Sequence, residues 1–340
     1  MIVQAYHDEH VFAKLQDEWN LLVHKSQSNR IFSTLEWNQT WWAAYHPGSL
    51  WIITVRNQQR QLTGIAPCFI ETTADRGRVV RLIGCVDVTD YVDLIVDPLH
   101  LEETLTALTD FWKQSQAEFD WLDFCNLPES SPVYAQLPIL LQTNAFEVTV
   151  KQQEVCPMIE LPTEWETYVE SLDKKERHEL RRKLRRAEGA DEQVDWYIVD
   201  QTRDLAAESE RFLALMAASQ EQKQIFLQNP QNRDFFNRIV PILHERGWLQ
   251  MSFLTVDGLP AATYLNFLYE GHVQVYNSGL NVSQYSHLSS GIVLLAYNIR
   301  WAIEHNYRVF DFLRGNENYK YRMGAKDTRV FNLEARAVRA

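Results

Sequence analysis

The densest run of chemically competent side chains lies near the C-terminus, in VFDFLRGNENYKYRMGAK (309–326). Asp311, Arg314, Glu317, Tyr319, Lys320, Tyr321 and Arg322 fall close together there, directly after an apolar strand-like segment. Carboxylates, phenols and cations in one loop can move protons and bind anions, and ligands favour the carboxyl ends of strands. The same composition also suits a solvated loop whose charges pair with one another.

A second concentration lies mid-chain. Residues 174–186 carry eight basic groups, Lys174, Lys175, Arg177, Arg181, Arg182, Lys183, Arg185 and Arg186, against Glu176 and Glu179. Leu172, Leu180 and Leu184, with Tyr168 and Ala187, fall along one helical stripe, and Gly189 can stop the helix. The spacing predicts a helix that is apolar on one side and basic on the other. Such a stripe can grip phosphate, on RNA, on coenzyme A or on lipid, or simply be a solvated face paired with the acidic remainder. No aromatic side chain lies within 174–188 to stack on bases.

Several chemistries are excluded. None of the 12 glycines forms a GxGxxG or GxxxxGK[ST] loop, and there is neither GxSxG nor HExxH. His7 and His10 lack the flanking residues of a metal set. Cys68, Cys85, Cys125 and Cys156 contain no CxxC pair, which argues against structural zinc and against a disulfide framework. A net charge of −12 argues against a protein that coats nucleic acid or anionic membrane with its whole surface. The first residues lack the apolar core of a signal peptide, and no run approaches membrane-span length; the expectation is a soluble cytoplasmic protein.

These groups must be positioned by a large fold, because 340 residues with 46% apolar side chains predict two cored domains. Apolar spacing predicts a helix over 8–24 with Asp8 as N-cap, and another from Ser33 or Thr34. Strands follow over 51–55, 62–70, 79–84 and 91–96, then a helix over 101–115, a strand over 121–124, a helix near 133–141 and the strand FEVTV. The second half repeats the order: strand 194–199, helices 203–221 and 231–245, strands LQMSFLTV, ATYLNFLY and HVQVYN, helix 290–305 and strand 309–312. Gly64 pairs with Gly258 and Asp123 with Asp311 at similar offsets, which suggests duplication of one α/β unit.

The segment SHLSSGIVLLAYNIRWAIEHNYRVFDFLRGNENYKYRMGAK, preceded by VYNSG, resembles the GNAT-type acyltransferases of the BioF2-like and CelD-like group, related in fold to the FemABX peptidyltransferases. LIGCVDVTDYVDLIVDP resembles the family's Asp-Tyr-x-Asp stretch, and RHELRRKLRRAE its basic helix. The resemblance covers residues 50 to 330. It implies an α/β fold with mixed sheets: two tandem GNAT-like domains, 1–160 and 191–340, joined by a basic helical linker over 161–190, with a cleft between them.

The resemblance further implies an enzyme that moves an acetyl or longer acyl group from acyl-CoA to an amine or hydroxyl, directly and without a metal. A cell-envelope sugar or polysaccharide precursor is the implied acceptor. Ser289, Ser290 and Gly291, with Ser278, would hold the acyl-CoA pyrophosphate at a helix N-terminus. Ser290 stands where the family has proline, and the glycine loop of ordinary GNAT enzymes is missing, so the donor could differ from acetyl-CoA. Glu317 or Asp311 would act as base, Tyr319 or Tyr276 as proton donor, and Lys320 and Arg314 as anion ligands. Asp90, Tyr91 and Asp93 would form the acceptor side, or Asp93 would only pair with Arg78 or Arg81. Two other functions fit: an aminoacyl-tRNA-dependent transferase of FemABX type, and a non-catalytic scaffold that docks an acidic partner on the basic helix.

Overall fold

The computed structural model describes residues 1–85, 88–281 and 285–338. The chain divides into two compact units, Met1–Val155 with Thr328–Ala340, and Cys156–Asp327.

The first unit runs β1 (Ile2–Tyr6), α1 (His10–Lys14), α2 (Gln16–Lys25), α3 (Leu35–Tyr45), β2 (Ser49–Arg56), β3 (Leu62–Thr73), β4 (Gly77–Leu82), β5 (Ile95–Val96), α4 (Leu101–Gln114), β6 (Trp121–Pro128), α5 (Pro132–Thr143) and the start of β7 (Phe146–Glu160). Strands β1 to β4 are antiparallel neighbours, whereas β4 and β6 pair in parallel. One apolar core of this unit collects Trp51, Trp112, Phe119 and Phe124 between sheet and helices.

The second unit takes the end of β7, then α6 (Trp165–Ser171), α7 (Lys174–Glu188), β8 (Val194–Ile198), α8 (Leu205–Ser219), α9 (Glu221–Gln228), α10 (Pro230–Glu245), β9 (Leu249–Val256), β10 (Leu259–Tyr269), β11 (His272–Leu280), α11 (Ser290–Glu304), β12 (Val309–Asp311) and α12 (Asn318–Arg322). Again an antiparallel run, β8 to β11, gives way to a parallel pair, β11 with β12. Helix α11, apolar nearly all round, is buried against β10. The two units therefore repeat one order of strands and helices, as the paired glycines and aspartates suggest. The last strand, β13 (Lys326–Ala337), begins in the second unit but lies beside β6 in the first.

Several expectations are corrected. The helix over 8–24 breaks at Leu15. The strand over 91–96 shrinks to Ile95–Val96, because the Val92 N–H donates to the Asn126 carbonyl and the Leu94 N–H to the Asp93 carboxylate. The helix over 203–221 stops at Ser219, Gln220 turns extended at φ −157°, and the unforeseen α9 follows.

The domain boundaries also move. Residues 161–190 do not stand apart as a linker: Tyr168, Leu172, Leu180 and Ala187 enter the core of the second unit, and the Tyr168 hydroxyl donates to the Met323 carbonyl at 2.9 Å. Residues 328–340, expected in the second domain, belong to the first unit, because β13 pairs there with β6. Finally, Cys85 and Cys125 form a disulfide with Cα atoms 5.8 Å apart. The parallel register of β4 on β6, Arg81 opposite Asp123, carries both cysteines to the same strand ends, a proximity that sequence spacing does not encode.

Candidate functional site

Strand β11 pairs with β12 only from His272 to Gln274, while on its other side it pairs with β10 as far as Leu280. Val275–Leu280 thus lack a partner in β12, and the sheet opens on that side. The backbone at Gly279 is fixed by packing: a Cβ there would lie 2.5 Å from the backbone of Leu215 and Met216 in α8, so only glycine fits.

The chain re-enters regular structure at α11. Ser289 adopts the left-handed conformation (φ 55°, ψ 40°) and its side chain caps nothing, which leaves the first amides of the helix without a side-chain partner. Ser290, 7% exposed, has a buried hydroxyl with no hydrogen-bond partner among the described residues. Such an atom costs about 1–3 kcal/mol unless something completes it. Residues Ser278, Ser289, Ser290 and Gly291 belong to the lining of a cavity of about 450 Å³.

Two phenols and one cation complete the wall. The Tyr264 hydroxyl donates to the Gly291 carbonyl at 3.3 Å, and Tyr319 lies nearby. Burial pushes both phenols well above their ordinary value, Tyr319 also through the neighbouring Tyr264 and Glu317, so both stay protonated and serve as donors. Lys183 of α7 reaches the same cavity with its side chain only 14% exposed, its ammonium 3.6 Å from Glu179. The dipole of a helix start and a lysine beside it favour an anion there.

The 311–322 loop is built differently from its expected role. Asp311 is buried and accepts the Leu313 N–H at 2.8 Å, holding Leu313 at φ 56°. Lys320, 2% exposed, donates to the carbonyls of Arg314 (2.8 Å), Gly315 (3.0 Å) and Leu313 (3.4 Å) and pairs with Glu317 at 2.9 Å. Its three protons are all committed. Lys320 is the internal frame of the loop, which corrects its assignment as an anion ligand, and Glu317 is its counter-ion. Tyr276 lies outside the cavity lining; it is the extra residue at an irregularity between β10 and β11 and packs on Phe267 and Phe236.

Asp90, Tyr91 and Asp93 belong to the first unit. Asp93 is buried and accepts the Ser28 hydroxyl at 2.6 Å; burial raises its carboxyl, against hydrogen bonds from Ser28 and Ser131 and the charge of Arg30. Arg30 also lies over the Tyr91 ring at 5.3 Å. The expected pairing of Asp93 with Arg78 or Arg81 does not occur, because Arg78 is beside Asp120 and Arg81 beside Glu71 and Asp123. Val86 and Asp87 of the same stretch lie outside the described residues.

One group at the opening went unread in the sequence. Lys223 of α9 donates from Nζ to the Ser278 carbonyl at 2.6 Å, with the Ser278 hydroxyl at 3.4 Å. Its only signal was a lone lysine in a segment without recognised periodicity. Among the described residues no group of His, Cys, Asp or Glu could hold a metal ion, and no helix is long and apolar enough to cross a membrane.

Residues 174–321, from α7 to α12, match the family described as acetyltransferase (GNAT) domain. No curated protein matches the chain by sequence. Among solved structures, FemX is similar at 11% identity with a TM-score of 0.68, over 98% of this chain and 97% of FemX. A conserved protein of unknown function from Bacteroides thetaiotaomicron is similar at 10% identity with a TM-score of 0.63, over 98% and 100%. The C-terminal domain of a putative lysylphosphatidylglycerol synthetase from Agrobacterium fabrum is similar at 10% identity with a TM-score of 0.56, over 95% and 92%. The two units repeat one α/β order of strands and helices, residues 174–321 match the acetyltransferase (GNAT) domain, and the chain shares its fold with FemX over nearly its whole length.

Proposed function

We propose that the second unit transfers an acyl group, acetyl or longer, from acyl-CoA to an amine or hydroxyl. The cavity of about 450 Å³ at the start of α11 carries this reading, since Ser278, Ser289, Ser290, Gly291 and Lys183 line it where a helix N-terminus favours an anion. The volume of about 450 Å³ lies within the usual range for ligand sites. Ser278, Ser289, Ser290, Gly291 and Lys183 would hold the donor's phosphate end and thioester arm. Tyr319, kept protonated by burial, would donate a hydrogen bond to the departing thiolate, and Tyr264 fixes the Gly291 carbonyl beside it. Asp311, Glu317 and Lys320 shape the loop that presents Tyr319, and Arg314 is left as the acceptor-side cation. Transfer is direct, with no acyl-enzyme. The motif likeness to BioF2-like and CelD-like enzymes supports a cell-envelope saccharide as acceptor.

A second reading rests on α7. Lys174, Lys175, Arg177, Arg185 and Arg186 have no carboxylate partner among the described residues, whereas Arg181 and Arg182 pair with Glu166 and Glu179. Cations without a carboxylate partner on one helix, in a chain with the FemX fold, also suit an aminoacyl-tRNA donor. Thermal unfolding with saturating acetyl-CoA, longer acyl-CoAs, free CoA or deacylated tRNA separates the two. A ligand at about 100 times its dissociation constant adds roughly 2.7 kcal/mol. A stabilising shift with CoA species supports the first reading. A shift with tRNA alone, lost at higher salt, replaces it with the second.

A further inference from the structure

The groups first expected to act as base are committed elsewhere, Asp311 to the Leu313 amide and Glu317 to Lys320. The phenols of Tyr264 and Tyr319 are held protonated. An acceptor amine or hydroxyl nevertheless has to lose a proton as it is acylated.

Lys223 is placed to take it. Helix α9 exists because Gln220 breaks the preceding helix, and it sets Lys223 against the open end of β11, where Ser278 lines the cavity. The ammonium touches only Ser278: 2.6 Å to its carbonyl and 3.4 Å to its hydroxyl, with no carboxylate in ion-pair contact among the described residues. On α8, Glu208 pairs with Arg203 and Arg211, and Glu210 with Arg233 of α10; on α10, Asp234 pairs with Arg238. Glu317 is the one carboxylate whose charge acts on Lys223, and it is neutralised by Lys320.

We infer that Lys223 is the terminal proton acceptor of the acyl transfer, receiving the acceptor's proton through the Ser278 hydroxyl. This rests on the acyl-transfer reading above. As the acceptor nitrogen or oxygen bonds to the thioester carbonyl, its proton passes to Ser278 Oγ, whose own proton passes to neutral Lys223 Nζ. The carbon–sulfur bond breaks, and the thiolate leaves with the electron pair while the Tyr319 phenol donates a hydrogen bond to it. Burial lowers Lys223 to about 8, with the Glu317 charge opposing, so a useful neutral fraction exists near neutrality.

The test combines three arms on the full chain. Competitive labelling with acetic anhydride, read by peptide mass, reports how Lys223 titrates, with and without CoA. Thermal unfolding with acetyl-CoA reports the donor site. Thiol release from acetyl-CoA, with water and with glucosamine as acceptors, is followed from pH 6 to 10 for wild type and Lys223→Arg, which keeps the charge but cannot serve as base. Supporting results are half-labelling near pH 8, protection by CoA, and a fall in rate of about 100-fold or more in Lys223→Arg with loss of the basic limb and unchanged acetyl-CoA stabilisation. Labelling at the pH of an ordinary surface lysine, or a wild-type profile in Lys223→Arg, overturns the role of Lys223 while leaving the donor site standing. Absence of any acetyl-CoA shift in wild type overturns the acyl-donor reading itself, and this inference with it. Labelling needs no turnover, so it decides even if the variant misfolds.

Discussion

Removing the Lys320 ammonium should destabilise the second unit before it affects any ligand. In Lys320→Met the stem can still pack, but the Arg314 and Gly315 carbonyls lose charged donors at 2.8 and 3.0 Å. Hydrogen bonds to a charged group contribute about 1.5–3 kcal/mol each, so the pair amounts to roughly 3–6 kcal/mol. The Leu313 contact, at 3.4 Å, adds little. Glu317 is 57% exposed, and solvent screening holds its ion pair to less than about 1 kcal/mol. Urea unfolding of wild type and Lys320→Met, followed by circular dichroism and tryptophan fluorescence, should show a loss of about 3–6 kcal/mol in one transition. A change below about 0.5 kcal/mol, together with lost acyl-CoA binding, would refute the framing role and restore Lys320 as an anion ligand.

Reduction of Cys85–Cys125, which closes a loop with a sequence separation of 40, should cost the first unit about 2–4 kcal/mol. Unfolding with and without dithiothreitol checks this, and four titratable thiols in the untreated protein would contradict it. The Asp93 carboxyl is raised by burial, so its protonation favours the folded state: stability is complete below the ordinary carboxylate value and declines as pH rises through the raised one. Asp93→Asn should lack that decline. Its melting temperature relative to wild type should therefore increase with pH across that window, and a constant difference would refute the assignment.

Much of the architecture was legible because its signals are local. The alternation in LQMSFLTV and HVQVYN, the helical spacing of 290–305 and the Gly–Gly and Asp–Asp matches led to the duplicated order the structure shows. What escaped depends on tertiary register. The Cys85–Cys125 bond follows from β4 pairing in parallel with β6, and the placement of β13 from its pairing with β6 rather than from its position in sequence. At the site, Ser278, Ser289, Ser290, Gly291 and Tyr319 do line one cavity, since strand end and helix start are adjacent in both sequence and space. Lys320, Asp311 and Glu317 were read by charge type, whereas their duty is set by carbonyls and amides that composition does not reveal. Lys223 was missed because α9 depends on the break at Gln220.

The central claim, that the start of α11 binds the phosphate end of an acyl-CoA, is tested most directly by calorimetric titration of acetyl-CoA into wild type and Ser290→Glu. The account predicts binding to wild type and a loss of affinity of at least about 100-fold in the variant, whose carboxylate would occupy the anion position at the helix N-terminus. Equal affinity in both proteins, or no binding to wild type, would contradict it.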